Sequence, residues 1–252
     1  MNLKNKIALS LGIFGSVFAT GLSLADEIIL SNVELPENFT VTAHTGCDNT
    51  KANSLDSILL GAGYKADIVE FDLFFDKSGK AVLSHDEPKA DAVSFDEAFK
   101  LISEINDIKV NVDVKRTDDL RQVAELAEKY GIADRIFYTG ISAEFVAAVK
   151  EQTPQIMYYL NKSIDSSKIE DDTYIAELIS EVKELGAVGL NIHFKSCSKK
   201  LVDAFHSEGL LVSIWTVNKK LDMVKALTLE CDNITTKKVE EFVSFVAKTK
   251  NR

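Results

Sequence analysis

The chain is poor in the residues that break a protein into parts or pin it from outside. Three prolines in 252 residues, and no low-complexity stretch, leave no segment that reads as a linker between domains. Three cysteines, Cys47, Cys197 and Cys231, are an odd set that allows at most one internal disulfide and leaves one thiol over. Basic residues are in the minority, with 29 Lys and Arg against 39 Asp and Glu, for a formal net charge of −10. That balance argues against nucleic acid as a partner and against electrostatic adhesion to an anionic membrane. An anionic substrate must therefore be drawn in locally, by a metal or a placed lysine.

The first 25 residues read differently from the rest. Lys4 and Lys6 precede an apolar stretch through Ile7, Leu9, Leu11, Ile13, Phe14, Val17 and Phe18, which ends at Ser23-Leu24-Ala25. This is the pattern of a secretory signal peptide with a small-x-small cleavage site after Ala25. No cysteine follows the apolar stretch to carry a lipoprotein anchor. Loss of the segment removes two lysines and no acids and takes the net charge to −12. The expected location is therefore secreted or periplasmic, with no stable membrane span after removal of the signal, and residues 26–252 form the folded domain.

From residue 39 onward, strand-like and helix-like patterns alternate. Strands are expected at Phe39 to Ala43, Ile68 to Leu73, Val110 to Val114, Ile136 to Tyr138, Gln155 to Tyr159, Val188 to Ile192, Leu211 to Trp215 and Asn233 to Thr235. Amphipathic helices are expected at Asn53 to Leu60, Phe95 to Glu104, Leu120 to Tyr130, Ala143 to Gln152, Thr173 to Leu185, Lys199 to Glu208, Leu221 to Leu229 and Val239 to Lys248. Asp26 to Asn38 is left as a short lead-in. Gly131, Gly186 and Gly209 each follow a helix end, where a left-handed residue closes the last turn. Eight strands in alternation with helices give an α/β class protein, a single (β/α)8 TIM barrel. A small insertion follows strand 2, where Lys77-Ser78-Gly79 turns the chain back before His85.

In such a barrel the site lies at the C-terminal ends of the strands. The polar residues at those positions are His44, Glu70, Asp72, Asp113, Lys115, Asn161, His193, Trp215 and Asn218. Residues i and i+2 of a strand share a face, so Glu70 projects with Asp72 and Asp113 with Lys115. Three carboxylates that converge on one mouth repel one another unless a hard cation satisfies them. Oxygen ligands favour Mg²⁺ or Ca²⁺ over zinc. His44 directly follows the first strand and His85 follows Ala81-Val82-Leu83-Ser84, so one imidazole can take a proton while the other supplies one. Lys115 can meet a non-bridging phosphate oxygen or simply pair with Asp113. Two histidines around a carboxylate pair suit hydrolysis of a phosphodiester on a divalent cation.

The stretches Ala43-His44-Thr45-Gly46, Ala66-Asp67-Ile68-Val69-Glu70-Phe71-Asp72, Val82-Leu83-Ser84-His85-Asp86, Val112-Asp113-Val114-Lys115, Trp215-Thr216-Val217-Asn218 and Asp232-Asn233-Ile234-Thr235-Thr236 occur in that order along the chain. In these the chain resembles the glycerophosphodiester phosphodiesterase family, a (β/α)8 barrel superfamily that also contains sphingomyelinase D-type phospholipases. The resemblance implies a catalytic pair, His44 and His85, and metal ligands Glu70 and Asp72, with Asp113 joining them. It also implies substrate contacts at Lys115 and Trp215, with His193 and Asn218 further candidates at strand ends. The implied substrate is a small-molecule or lipid-headgroup phosphodiester, cleaved to an alcohol and glycerol phosphate.

Two positions depart from the family pattern. Thr45 stands where the family usually has a phosphate-holding arginine, and Ala52 where it usually has a further metal-binding carboxylate. Asp113 stands where many phosphodiesterases carry Glu, and a metal set of Glu70, Asp72 and Asp113 beside Lys115 is closer to the sphingomyelinase D pattern. Release of a headgroup from sphingomyelin or a lysophospholipid therefore stays open, as does a barrel that binds without catalysis.

Overall fold

The computed structural model describes residues 22–251, so most of the expected signal peptide lies outside the described residues. Nine strands are present among these residues: β1 (Thr40–Ala43), β2 (Ile68–Phe75), β3 (Ala81–Leu83), β4 (Lys109–Val114), β5 (Ile136–Ile141), β6 (Tyr158–Asn161), β7 (Gly189–His193), β8 (Leu211–Trp215) and β9 (Asn233–Thr236). Eight of them run parallel, and β1 pairs with both β2 and β9, which closes the barrel. The ninth, β3, pairs antiparallel with the end of β2 through Leu73↔Leu83 and Phe75↔Ala81. This hairpin is the insertion expected after strand 2.

The surrounding helices are α1 (Leu24–Leu30), α2 (Leu55–Gly63), α3 (Phe95–Ser103), α4 (Arg121–Lys129), α5 (Val146–Gln152), α6 (Asp172–Leu185), α7 (Lys199–Ser207), α8 (Lys220–Leu227) and α9 (Val239–Val246). Most agree with the sequence pattern to within two or three residues at each end, and Gly131, Gly186 and Gly209 have φ of 66°, 74° and 69°. The exception is α1, which occupies part of the stretch read as a lead-in. Its start is set by a reciprocal capping box, in which Ser23 Oγ accepts from Asp26 N and Asp26 Oδ2 accepts from Ser23 N. The expected cleavage point after Ala25 falls within this helix.

Strand alternation decides what the barrel presents to its interior. On β2, Phe71 turns outward, with its ring 5.4 Å from Phe95 and 6.3 Å from Phe99 of α3. Burial of that aromatic cluster fixes the strand's rotation, so the neighbouring Glu70 and Asp72 must face inward. The interior is unusually polar for a barrel of this type. Thr42 Oγ1 donates to Asn233 Oδ1 at 2.8 Å, Asn233 Nδ2 to Ser213 Oγ at 3.0 Å, and Ser213 Oγ to Asn191 Oδ1 at 2.9 Å. Asn191 Nδ2 then donates to Asn161 Oδ1 at 3.2 Å. Thr42, Asn233, Ser213 and Asn191 are all buried, and each is satisfied by the next.

This chain of bonds is a rigid floor beneath the mouth, and it can be tested on stability alone. Asn191→Leu removes two bonds at once, so that the buried Ser213 Oγ loses its acceptor and Asn161 Oδ1 keeps only Gly140 N. Urea denaturation should show a loss of roughly 1–3 kcal/mol in unfolding free energy. No change would mean that the polar floor contributes nothing to the fold.

The three cysteines are buried and free. Cys197 Sγ and Cys231 Sγ lie 4.0 Å apart, whereas Cys47 Sγ faces Ser57 O at 3.6 Å.

Candidate active site at the barrel mouth

Strand register brings the acids together. Asp72 of β2 and Asp113 of β4 are direct cross-strand partners, and Glu70 lies two residues earlier on the same face of β2. Oxygens of Glu70, Asp72 and Asp113 lie within 4.8 Å of one another. Burial pushes the Glu70 carboxyl well above the usual carboxylate range, and the charges of Asp72 and Asp113 push it further. Burial raises Asp113 as well, against the pull of Lys115.

Two groups hold these acids in place. Lys115, two residues beyond Asp113, puts its Nζ 2.7 Å from Asp113 Oδ2 and 3.0 Å from Asp72 Oδ1. Burial acts to lower the Lys115 pKa, but the two carboxylates outweigh it and hold the ammonium above the ordinary lysine range. The salt bridge to Asp113 weighed from sequence is therefore present, with Asp72 sharing it. The second group is Asn53, whose Nδ2 donates to Asp72 Oδ2 at 2.8 Å while its Oδ1 accepts from Asp72 N at 3.0 Å.

One acid oxygen is left over. Asp113 Oδ1 is buried without a hydrogen-bond partner. It is accommodated by a β-bulge in β5 between Tyr138 and Ile141, where Gly140 adopts φ 74°. A Cβ at Gly140 would lie 2.4 Å from Asp113 Oδ1 and 2.4 Å from Val114 O, so only glycine fits over this carboxylate. An orphaned buried oxygen within a three-carboxylate cluster is the donor set of a hard divalent cation, and these residues fit one.

His44 stands beside the cluster. Its Nδ1 is 2.9 Å from Thr45 O and 3.5 Å from Glu70 Oε2. The contact with a carbonyl oxygen places the proton on Nδ1 and leaves Nε2 as the basic nitrogen. Burial lowers the His44 pKa, so the neutral ring is favoured at neutral pH. Thr45 is a strut: its backbone N–H donates to Glu70 Oε2 at 2.7 Å, and its Oγ1 accepts from Asn53 N at 2.6 Å. Ala52 is exposed and packs near Gly46.

The remaining expected residues are distributed around the rim. Ser84 N donates to Asp72 O at 3.1 Å, which sets His85 one residue beyond the backbone of Asp72. His85 is exposed, with Nδ1 3.1 Å from Asp86 Oδ1. His193 and Trp215 are register partners at the ends of β7 and β8, and their rings meet edge to face at 5.6 Å. Asn218 Oδ1 accepts from Lys237 N at 2.8 Å, and Asn161 Oδ1 accepts from Gly140 N at 2.8 Å. Both amides thus hold backbone at the mouth.

Asn53 is the site residue that pattern reading assigned to a helix. Ser54 is the N-cap of α2 in the structure, and Asn53 lies before it at φ 54°. Asparagine immediately before a capping serine and a helical run is the available signal, since it tolerates left-handed backbone and carries both a donor and an acceptor. Asn53→Ala should lower kcat/KM for a phosphodiester by roughly 10–100-fold through loss of Asp72 orientation. Unchanged steady-state kinetics would remove Asn53 from the site.

The model of the glycerophosphoryl diester phosphodiesterase family matches residues 88–241. That span includes Asp113, Lys115, His193, Trp215 and Asn218 and begins beyond His85. No curated protein matches the chain. Among solved structures, a candidate glycerophosphodiester phosphodiesterase of Galdieria sulphuraria is 20% identical with a TM-score of 0.71, over 86% of this chain and 100% of its own. A glycerophosphodiester phosphodiesterase of Parabacteroides distasonis is 18% identical with a TM-score of 0.67, over 83% of this chain and 97% of its own. An Oleispira antarctica phosphodiesterase, solved with its product sn-glycerol-3-phosphate, is 18% identical with a TM-score of 0.70, over 84% of this chain and 97% of its own. Likeness at these identities bears on the fold, whereas the family match covers more than half of the sequence. The chain belongs to the glycerophosphoryl diester phosphodiesterase family.

Proposed function

We propose that the protein is an exported, divalent-cation-dependent phosphodiesterase that cleaves glycerophosphodiesters to an alcohol and glycerol phosphate. The observation that carries this reading is the cluster of Glu70, Asp72 and Asp113, with its orphaned Asp113 oxygen, beside a neutral, partly exposed His44. Family membership supplies the reaction class, and the Oleispira relative's product supports glycerol phosphate as the anionic product.

Glu70, Asp72 and Asp113 would hold Mg²⁺ or Ca²⁺, which when bound supplies positive charge for a phosphoryl oxygen. His44 uses Nε2 to take the proton from the attacking oxygen, while its Nδ1–H remains on Thr45 O. Attack by a neighbouring substrate hydroxyl gives a cyclic phosphate that water then opens, and attack by water gives the ester directly. His85 donates a proton to the departing alcohol. Asp86 at 3.1 Å orients its ring from the Nδ1 side. Asn53 and Lys115 keep Asp72 and Asp113 from rotating as charge shifts at phosphorus.

Export rests on the Lys4–Ala25 pattern. Among the described residues, no helix is long and apolar enough to cross a membrane. Intact mass of protein recovered from the envelope or medium should begin at Asp26, and a full-length cytosolic product would contradict export. For substrate, the protein is incubated with glycerophosphocholine and with sphingomyelin, each with and without Mg²⁺ or Ca²⁺, and products are identified by mass. Glycerol phosphate from the first supports the proposal. Ceramide phosphate from the second would redirect it to headgroup release from sphingolipid, and no product from either would indicate a binding barrel.

A further inference from the structure

The acid cluster poses an electrostatic problem for the proposed substrate. A phosphodiester is itself an anion, and it must approach three carboxylates whose own lysine, Lys115, is engaged by two of them. A divalent cation on the acids would offset their charge, and a further cation at the mouth that is not already neutralised would hold the phosphate beside it. Lys237 meets that description. It follows β9 directly, and the register Thr42↔Thr235, Ala43↔Thr236 makes it the next cross-strand neighbour of His44. His44 N donates to Thr236 O at 2.9 Å, which carries the ladder to the level of these two residues. Thr42 and Thr235 are buried, and Thr42 bonds within the interior, so the alternation returns His44 and Lys237 to the same inward face at the mouth.

The backbone of Lys237 is clamped on both sides. Its N–H donates to Asn218 Oδ1 at 2.8 Å, and its carbonyl accepts from Asp48 N at 2.7 Å. Its ammonium, by contrast, has no hydrogen-bond or ion-pair partner among the described residues, although the residue is half-buried. The charge nevertheless reaches His44, where it favours the neutral ring. The adjacent Lys238 acts on a different group, the Asp48 carboxylate.

We infer that Lys237 is the phosphate-binding cation of this active site, the lysine that pairs with a non-bridging oxygen of a phosphodiester or phosphate monoester beside His44. The inference rests on the proposed phosphodiesterase reading. The clamped backbone fixes the side chain's origin at the mouth beside His44, and the absence of a carboxylate partner among the described residues leaves the ammonium available to an anion.

The test uses the folded protein with Mg²⁺, glycerophosphocholine as substrate and inorganic phosphate as binding probe. Lys237→Met should raise KM and the phosphate dissociation constant by at least about tenfold, with kcat much less affected. Lys237→Arg should recover most of both, and Lys238→Met, which removes the same net charge one residue away, should change neither. Mg²⁺ affinity should be the same in all four proteins, which separates loss of the phosphate contact from damage to the acid cluster. Equal phosphate affinity in wild type and Lys237→Met would overturn the inference, as would equal losses in the Lys237 and Lys238 variants. A wild type that binds phosphate through Lys237 yet turns over no diester would support this assignment and contradict the proposed activity.

Discussion

His44→Ala should lower kcat for glycerophosphodiester cleavage by roughly 10²–10⁴-fold, the range expected for loss of a positioned general base. The fold should survive, because the ring is partly exposed and its polar contacts among the described residues are with Thr45 O and Glu70. His44 is suited to this role by its setting. Its Nδ1 proton is committed to a backbone carbonyl, and burial keeps the ring neutral, so Nε2 can accept a proton at neutral pH. His85→Ala should cause a loss of similar size when the leaving alcohol is poorly acidic, and a smaller one with a nitrophenolate leaving group that needs no proton. That contrast assigns the donor role to His85 apart from any structural effect. A His44→Ala, His85→Ala double variant that still turns over would remove the two-histidine mechanism altogether.

Removal of divalent cations should abolish activity, and Asp72→Asn should leave a protein that added Mg²⁺ or Ca²⁺ rescues poorly. The structural reason is the cost of the acids without a cation. Burial and mutual repulsion raise Glu70 and Asp113, so at a given pH the metal-free protein holds protons there that a solvated carboxylate would have lost. In the window between the ordinary carboxylate pKa and these raised values, the native state binds more protons than the unfolded chain. The contribution of these groups to stability therefore falls as pH rises through that window. A bound cation reverses this and displaces the protons as it binds, so its affinity drops on acidification. The increase in Tm caused by Mg²⁺ or Ca²⁺ should be larger at pH 7.5 than at pH 5. A cation-induced Tm shift independent of pH, or full activity in chelator, would contradict a metal centre at these acids.

The barrel was legible because its signals are periodic and local. Strands such as Leu211–Trp215 coincide with their apolar runs, and the hairpin after β2 was visible from Lys77-Ser78-Gly79. The acid cluster was legible for a related reason: i, i+2 spacing on Glu70 and Asp72 predicts a shared face, and the Asp72↔Asp113 register turns that into a single site. What escaped pattern reading depends on contacts distant in sequence. Asn53 braces Asp72 across 19 residues. Gly140 makes room for Asp113 through a bulge that nothing in Ile136–Ile141 announces except the glycine itself. Asn218 Oδ1 holds the backbone of Lys237 across 19 residues, a contact that strand spacing does not announce. The α1 helix is hidden for a simpler reason, since its capping box, from Ser23 to Asp26, spans the expected cleavage point after Ala25.

The central claim is that the acid cluster and His44 together perform metal-dependent cleavage of a glycerophosphodiester. Its most direct test is a ³¹P NMR time course of glycerophosphocholine with the purified protein in Mg²⁺ or Ca²⁺, with a parallel sample in chelator. The account predicts conversion of the diester resonance to that of glycerol phosphate, with or without a transient cyclic phosphate, and no conversion in chelator. An unchanged diester resonance with either cation at saturating protein, or equal conversion in chelator, would contradict it.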